Sequence, residues 1–129
     1  MGASETFDIR TTTRAEVIDV TALVRGAVRK SGVTSGIACV FCPHTTAGVT
    51  IQENSDPRVR HALSEHLSQT VPRAGEENMD AHIKSSLVGA SLTLIVEGGK
   101  PVLGTWQAVY FCEFDGPRNR LLMVRVVPG

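Results

Sequence analysis

The chain has 129 residues, of which 42% are hydrophobic and 20% charged, a composition typical of one globular domain over residues 1–129. Lys plus Arg and Asp plus Glu both number 13, so the formal net charge is zero. This balance argues against a nucleic-acid or membrane-surface partner. No apolar run reaches the roughly 20 residues that cross a bilayer, and the N-terminus lacks the features of a secretory signal. We expect a cytoplasmic protein, because three cysteines, an odd number, suit a reducing compartment.

Short β-prone segments alternate with helical signals in the first half of the chain. Four strands and one helix are predicted there: strands at 7–9, 17–20, 37–42 and 49–52, and a helix at 22–31. Thr21 is expected to cap this helix, and Gly32 stands where a helix ends. Cys39 and Cys42 form a CxxC inside an apolar run without a second CxxC, which favours core thiols over a zinc or redox site.

The second half begins with a strong helix signal. Asp56 and Pro57 predict a helix start, because a capping carboxylate precedes a proline at the first helical position. The helix should run to about Thr70, with His66 on its apolar side and so in the core or an interface. The remaining elements are predicted as a loop at 73–80, a short helix or turn at 82–88, and strands at 91–96, 105–114 and 121–127.

Strands dominate this pattern, and no βαβαβ rhythm appears, so a doubly wound parallel sheet is disfavoured. Turn signals at Gly98-Gly99 and at 115–117 separate the last three strands. The sequence therefore predicts an α+β domain with a mainly antiparallel, sandwich-like sheet core and two or three helices. Trp106 is expected in that core. Arg118 and Arg120 flank the last turn, where arginines either meet a phosphate or stay solvated.

A first polar cluster follows the strand at 37–42. His44, Thr45 and Thr46 come where side chains open onto a sheet end, and Glu53 and Asn54 precede the second helix. Hydroxyls and amides donate hydrogen bonds to a ligand, while imidazole and carboxylate transfer protons near neutral pH. We therefore predict His44 and Glu53 as catalytic residues and the other three as substrate contacts.

A second cluster combines an imidazole, an ammonium and two hydroxyls at His82, Lys84, Ser85 and Ser86. These groups suit phosphate recognition, since phosphate oxygens accept hydrogen bonds from such donors. The sequence has no Walker-type or dinucleotide glycine motif, so no nucleotide cofactor is indicated. His82 is predicted as catalytic and the other three as substrate-binding residues. The alternative is a solvated loop leading into a capped helix.

Imidazoles with a carboxylate also suit a divalent metal such as Mg²⁺ or Zn²⁺. His44, His82 and Glu113 are the predicted ligands, although the HExxH spacing of many zinc sites is absent. Gln107 lies six residues before Glu113 on one predicted strand and so on the same side. Gln107 is predicted to contact the substrate. His61 is either a surface partner of Glu65 or another ligand.

These segments together resemble the YjbQ-type family, the secondary thiamine-phosphate synthase enzyme family. The likeness follows one order along nearly the whole chain: His44-Thr45-Thr46-Ala47, Glu53-Asn54, Asp56-Pro57, His61, Met79, His82-Ile83-Lys84-Ser85-Ser86, Gly89, Ser91-Leu92, Gly104-Thr105-Trp106-Gln107 and Glu113. It departs at Pro43 and around Asp80, where the family varies, so Asp80 is not counted among the site residues.

The resemblance implies an α+β fold with extensive antiparallel sheet and a homotrimer with sites near subunit contacts. It also implies a transferase with weak thiamine phosphate synthase activity, which joins a pyrimidine diphosphate to a thiazole phosphate and releases pyrophosphate. Small phosphorylated molecules would be its substrates. By similarity to the family, the candidate site residues are His44, Glu53, His82, Lys84 and Ser85.

Two other classes of function fit the same residues. One is a metal-dependent hydrolase or phosphate-transfer enzyme, which would hold zinc or manganese between His44, His82 and a carboxylate. The other is a protein without turnover, whose polar pocket senses a metabolite. Every alternative requires the regions of residues 44 and 82 to meet, either in one chain or across a subunit boundary.

Overall fold

The computed structural model describes residues 3–75 and 77–129. These described residues form three helices and eight strands in the order β1 (Ala3–Arg10), β2 (Glu16–Asp19), α1 (Thr21–Ser31), β3 (Ser35–Phe41), β4 (Ala47–Glu53), α2 (Pro57–Thr70), α3 (Met79–Val88), β5 (Ser91–Glu97), β6 (Lys100–Pro101), β7 (Gln107–Glu113) and β8 (Asn119–Pro128). No helix within the described ranges is both long enough and apolar enough to span a membrane.

The strands form two sheets in which every neighbouring pair is antiparallel. The larger sheet has the order β1-β8-β3-β5-β6, and the smaller one has the order β2-β7-β4. Strand β3 alternates exposed and buried residues, the period of a strand with one face in the core. The predicted α+β class with mainly antiparallel sheet and two or three helices is confirmed, and the described residues form three helices.

The main core combines inward side chains of both sheets with helix α1. Val40 and Val124 come from the larger sheet, Val49 and Phe111 from the smaller one, and Val24 from α1. The helix ends at Gly32, whose φ of 72° is left-handed, a conformation that glycine adopts without strain. These residues place α1 against the buried side of the sheets.

The predicted cap of α1 is wrong. Thr21 is the first residue of the helix and Val20 is the capping residue, without a side-chain cap. The Thr21 hydroxyl instead donates to Asp19 Oδ1 at 2.6 Å and accepts from the Val109 amide at 2.9 Å. It therefore ties the helix start to strand β7. The cap predicted for α2 is confirmed, because Asp56 accepts a hydrogen bond from the Arg58 amide.

A second, smaller core lies on the other face of the three-stranded sheet. It joins Ala81 of α3 to Tyr110 and Cys112 of β7, with Leu67 of α2 packed against it. Helix α2 has no fully buried residue, so it lies on the surface of this chain. His66 is exposed in the single chain, so the core alternative for it is wrong, whereas the interface alternative stays a prediction.

Two further core predictions are wrong. Cys39 is exposed, whereas Cys42 and Cys112 are buried, and all three thiols are free. Strand β3 places Cys39 on the outer face of the larger sheet, because side chains alternate along a strand. Trp106 precedes β7 and is 61% exposed. That outer face also carries exposed apolar side chains: Ile37, Phe41, Ile95, Leu121 and Val127.

Candidate functional site

The two predicted polar clusters meet in one cleft. The cleft has a volume of about 380 Å³ and is lined by His44, Thr45, His82, Ser85, Ser86, Gly89 and Ala90. The segment between β3 and β4 supplies one wall, and α3 with the turn after it supplies the other. The required meeting of the regions around residues 44 and 82 is thus confirmed within one chain.

Strand β8 fixes the orientation of the His44 ring. The Leu121 backbone amide donates to His44 Nε2 at 2.9 Å. Because Nε2 accepts this hydrogen bond, the neutral ring carries its proton on Nδ1. Burial, followed by the nearby Arg120 guanidinium, lowers the pKa of His44 below its ordinary value. His44 is therefore held as a neutral imidazole with a single donor.

A buried ion pair lies behind His44. Arg120 donates to both carboxylate oxygens of Glu113 and to the hydroxyl of Thr46. Glu113 also accepts from the Thr11 hydroxyl at 2.7 Å. Burial raises the pKa of Glu113, but the hydrogen bond from Arg120 and those from the Asp115 amide and Thr11 outweigh it, so the pKa is lowered. The carboxylate is ionised and its acceptor positions are filled.

This network changes two predicted roles. Glu113 is fully buried and engaged by Arg120, so in this chain it does not join His44 and His82 as a metal ligand. Thr46 is buried and accepts from Arg120, so it supports the site from behind, while Thr45 lines the cleft. The residues described include no group of three His, Cys, Asp or Glu side chains placed to hold a metal ion.

Helix α3 divides its polar residues between two sides. His82, Ser85 and Ser86 line the cleft, since residues three and four apart share a helix face. Lys84 faces away, and its Nζ donates to Asp80 Oδ2 at 3.0 Å. Only 4% of the Lys84 side chain and 1% of the Asp80 side chain are exposed. The predicted substrate contact of Lys84 is therefore not made in this chain.

Asp80 connects α3 to the loop before β2. Arg14 donates to both Asp80 oxygens, at 3.0 and 3.2 Å. The Arg14 hydrogen bonds, together with Lys84, hold the pKa of Asp80 well below its usual range despite burial. Asp80 is thus a structural anion that fixes the helix carrying His82.

The remaining predicted site residues form a separate polar group at the far end of β4. Glu53 is paired with Gln107 across the strands, and the Asn54 amide donates to the Trp106 carbonyl at 2.9 Å. Since a strand rises about 3.3 Å per residue, this group lies about 20 Å along β4 from the Ala47 end. In one chain, the cleft beside His44 therefore does not include Glu53, Asn54 or Gln107.

His61 pairs with Glu65 at 3.0 Å on the surface.

Sequence reasoning missed the contribution of Arg120. The sequence places Arg120 beside the last turn, whereas in the structure it lies on β8 and is buried. The alternation of Arg120 with Leu122, Val124 and Val126 was the available signal, because residues two apart on a strand face the same side. The Leu121 amide acts through the backbone and leaves no sequence signal.

Comparison with known proteins identifies the family. The model of the UPF0047 protein YjbQ-like family matches residues 5–129. The chain belongs to this family. It is 48% identical over 126 residues to a UPF0047 protein of Methanocaldococcus jannaschii, covering 94% of this chain and 91% of that protein. It is 47% identical over 129 residues to YugU of Bacillus subtilis, covering 95% and 98%.

Solved structures of the family share the fold. A Clostridium acetobutylicum structure has a TM-score of 0.91 at 47% identity and covers 97% of this chain and 99% of its own. A YbjQ-like protein of Sulfolobus solfataricus has a TM-score of 0.94 at 26% identity, with 100% and 99% covered. These similarities confirm the predicted YjbQ-type family and fold.

The predicted thiamine phosphate synthase activity is wrong on the same comparisons. The curated relatives carry only UPF0047 names, and the Sulfolobus solfataricus structure is described as a protein of unknown function. None of these descriptions contains a synthase activity. The function must therefore be argued from the cleft itself.

Proposed function

We propose that this UPF0047 protein binds the phosphate group of a small metabolite in the cleft between His44 and helix α3. One observation carries the proposal: the lining residues supply two imidazoles and three hydroxyls, and none of those described carries a carboxylate. Such a set offers hydrogen-bond donors and no fixed negative charge, which suits an anion. The volume of about 380 Å³ is within the roughly 300–1,000 Å³ of small-molecule sites.

The two histidines have different roles in this proposal. His44 donates from Nδ1 to the ligand, because the Leu121 amide occupies Nε2. In the described part of the chain, no group hydrogen-bonds the ring of His82, which is half-buried. Its ring is therefore available to hydrogen-bond the phosphate oxygens of a ligand. Ser85 and Ser86 add hydroxyl donors from the same wall.

We extend the proposal to catalysis, with His82 as general acid and base for the bound metabolite. A catalytic group must exchange a proton with the ligand, and the His82 ring has no competing partner among the described residues. His44 is less suited to the role, since protonating Nε2 would break its hydrogen bond to Leu121. A divalent metal at the two imidazoles stays a prediction.

Binding is tested by titrating the protein with inorganic phosphate and with ribose 5-phosphate in isothermal calorimetry. We expect saturable binding that His82→Ala weakens about tenfold, since hydrogen bonds to charged groups contribute roughly 1.5–3 kcal/mol. His61→Ala is the matched control, because that imidazole is exposed and outside the cleft. Absence of binding, or equal weakening by both variants, would refute the proposal.

Catalysis is tested separately with a panel of phosphorylated metabolites. Turnover that is lost in His82→Gln, with ligand affinity reduced far less, supports an acid–base role. Saturable binding without turnover of any panel member supports the metabolite-sensing alternative and overturns the catalytic part alone.

Assembly into a homotrimer remains a proposal, which the outer face of the larger sheet supports. Ile37, Ile95 and Val127 are neighbours there in the strand register, and each is exposed in the single chain. Exposed apolar patches of this kind mark association surfaces. Leu121, which donates to His44, belongs to the same face, so this assembly would lie beside the cleft.

The free thiols support the proposed cytoplasmic location.

A further inference from the structure

A larger groove lies apart from the histidine cleft, between the end of helix α1 and the β5–β6 hairpin. Its volume is about 580 Å³, and no residue lining it also lines the histidine cleft. Val28, Val33 and Pro101 form a buried apolar floor. Arg25 and Arg29 line the helix side of the groove, and Lys100 lies on the hairpin side.

Both walls of this groove are fixed by the backbone. On one side, α1 stops at Gly32, whose amide donates to the Arg29 carbonyl at 3.2 Å. On the other side, the hairpin turns at Gly98 and Gly99, with φ of 60° and 73°. The Gly99 amide donates to the Thr34 carbonyl at 3.2 Å, which ties the hairpin tip to the segment after the helix. The groove is therefore preformed.

The two arginines are available to a ligand. They are four residues apart on α1, which places them on one helix face, and both are exposed. Neither guanidinium has a hydrogen-bond or ion-pair partner within residues 3–75 and 77–129. In contrast, the next cation of the helix, Lys30, pairs with Glu5 at 2.8 Å. No described residue lining the groove is acidic.

We propose that this groove binds a small organic anion with an apolar body, such as a medium-chain carboxylate. The acid group would be held by Arg25 and Arg29, because guanidinium donors match carboxylate oxygens in geometry and charge. The apolar body would pack against the groove floor at Val33 and Pro101, whose buried side chains offer dispersion contacts rather than a large exposed apolar area. Charge at the rim and an apolar floor together select this class over inorganic anions.

The test uses octanoate as the probe and acetate as the anion without an apolar body, in a ¹⁵N NMR titration of the full chain. Octanoate should saturably shift the amide signals of Gly32, Gly98 and Gly99. Acetate should leave these signals unchanged at the same concentration. Shifts confined to other regions, or equal responses to both anions, would overturn the proposal.

Variants separate specific binding from general charge. Arg25→Gln with Arg29→Gln should raise the Kd for octanoate at least about tenfold, since charged hydrogen bonds are strong. Lys30→Gln is the matched control on the same helix and should change the Kd by less than about twofold, because exposed ion pairs contribute little. His82→Ala should leave octanoate binding intact, which distinguishes this groove from the histidine cleft. An unchanged Kd in the double variant rejects the proposal.

Discussion

Replacing Lys84 tests whether this residue serves the fold or the ligand. The structure places its Nζ 3.0 Å from Asp80 with both side chains nearly fully buried, while the neighbouring cleft is lined by His82, Ser85 and Ser86 instead. Lys84→Met keeps the length and apolar stem of the side chain and removes its charge. A structural role predicts lower stability with unchanged affinity for phosphate.

The magnitude follows from the partners that remain. After Lys84→Met, Asp80 still accepts two hydrogen bonds from Arg14, so we expect a loss of about 1–2 kcal/mol in the free energy of unfolding. Asp80→Asn leaves the buried Lys84 ammonium without its counter-charge, which costs roughly 3–5 kcal/mol. Asp80→Asn should therefore be less stable than Lys84→Met.

The assay is urea denaturation of the wild type, both single variants and the double variant, followed by phosphate titration of the folded proteins. The double-mutant cycle should give a coupling of about 1 kcal/mol or more, as expected for residues in contact. Since the pKa of Asp80 is held below its unfolded value of 3.8, its stabilisation is present above pH 3.8 and lost as the pH falls below it. Asp80→Asn should remove this acid dependence. Normal stability of Lys84→Met combined with lost phosphate binding would refute the reasoning.

Three further predictions concern other parts of the molecule. The pKa of His44 is lowered from 6.5, so its contribution to stability is present above pH 6.5 and falls as the pH drops below that value. Between pH 7 and 5, His44→Gln should therefore reduce the dependence of the unfolding free energy on pH, as measured by denaturation. An unchanged pH dependence would contradict the assignment. Gly36→Ala should lower the free energy of unfolding by about 3 kcal/mol in thermal denaturation, because the new Cβ would lie 2.0 Å from a backbone oxygen of β8. Gly26→Ala is the control: its Cβ meets nothing closer than 3.9 Å, so it should be neutral or stabilising. Ile95→Lys on the outer sheet face should yield a smaller assembly by light scattering, and an unchanged mass would exclude that face from the interface.

The sequence predicted those features that depend on neighbours along the chain. The Asp56-Pro57 pair marked the start of α2 correctly, because capping and proline geometry act within one turn. Alternating apolar residues located most strands, since burial of one face imposes a period of two. The motif order also identified the family, and it named both histidines and both serines that line the cleft.

The tertiary structure decided which polar residues face the ligand and which face each other. Lys84 and Ser85 are adjacent in sequence and were predicted for the same role, yet one is paired with Asp80 and the other lines the cleft. From the sequence Glu113 is a plausible metal ligand, but in the fold its carboxylate accepts hydrogen bonds from Arg120 on another strand. Sequence spacing gives the face of a helix or strand but not what packs against that face. Other partners of these buried charges come from distant segments, as Arg14 does for Asp80 and Thr46 for Arg120, so only the assembled fold determines them.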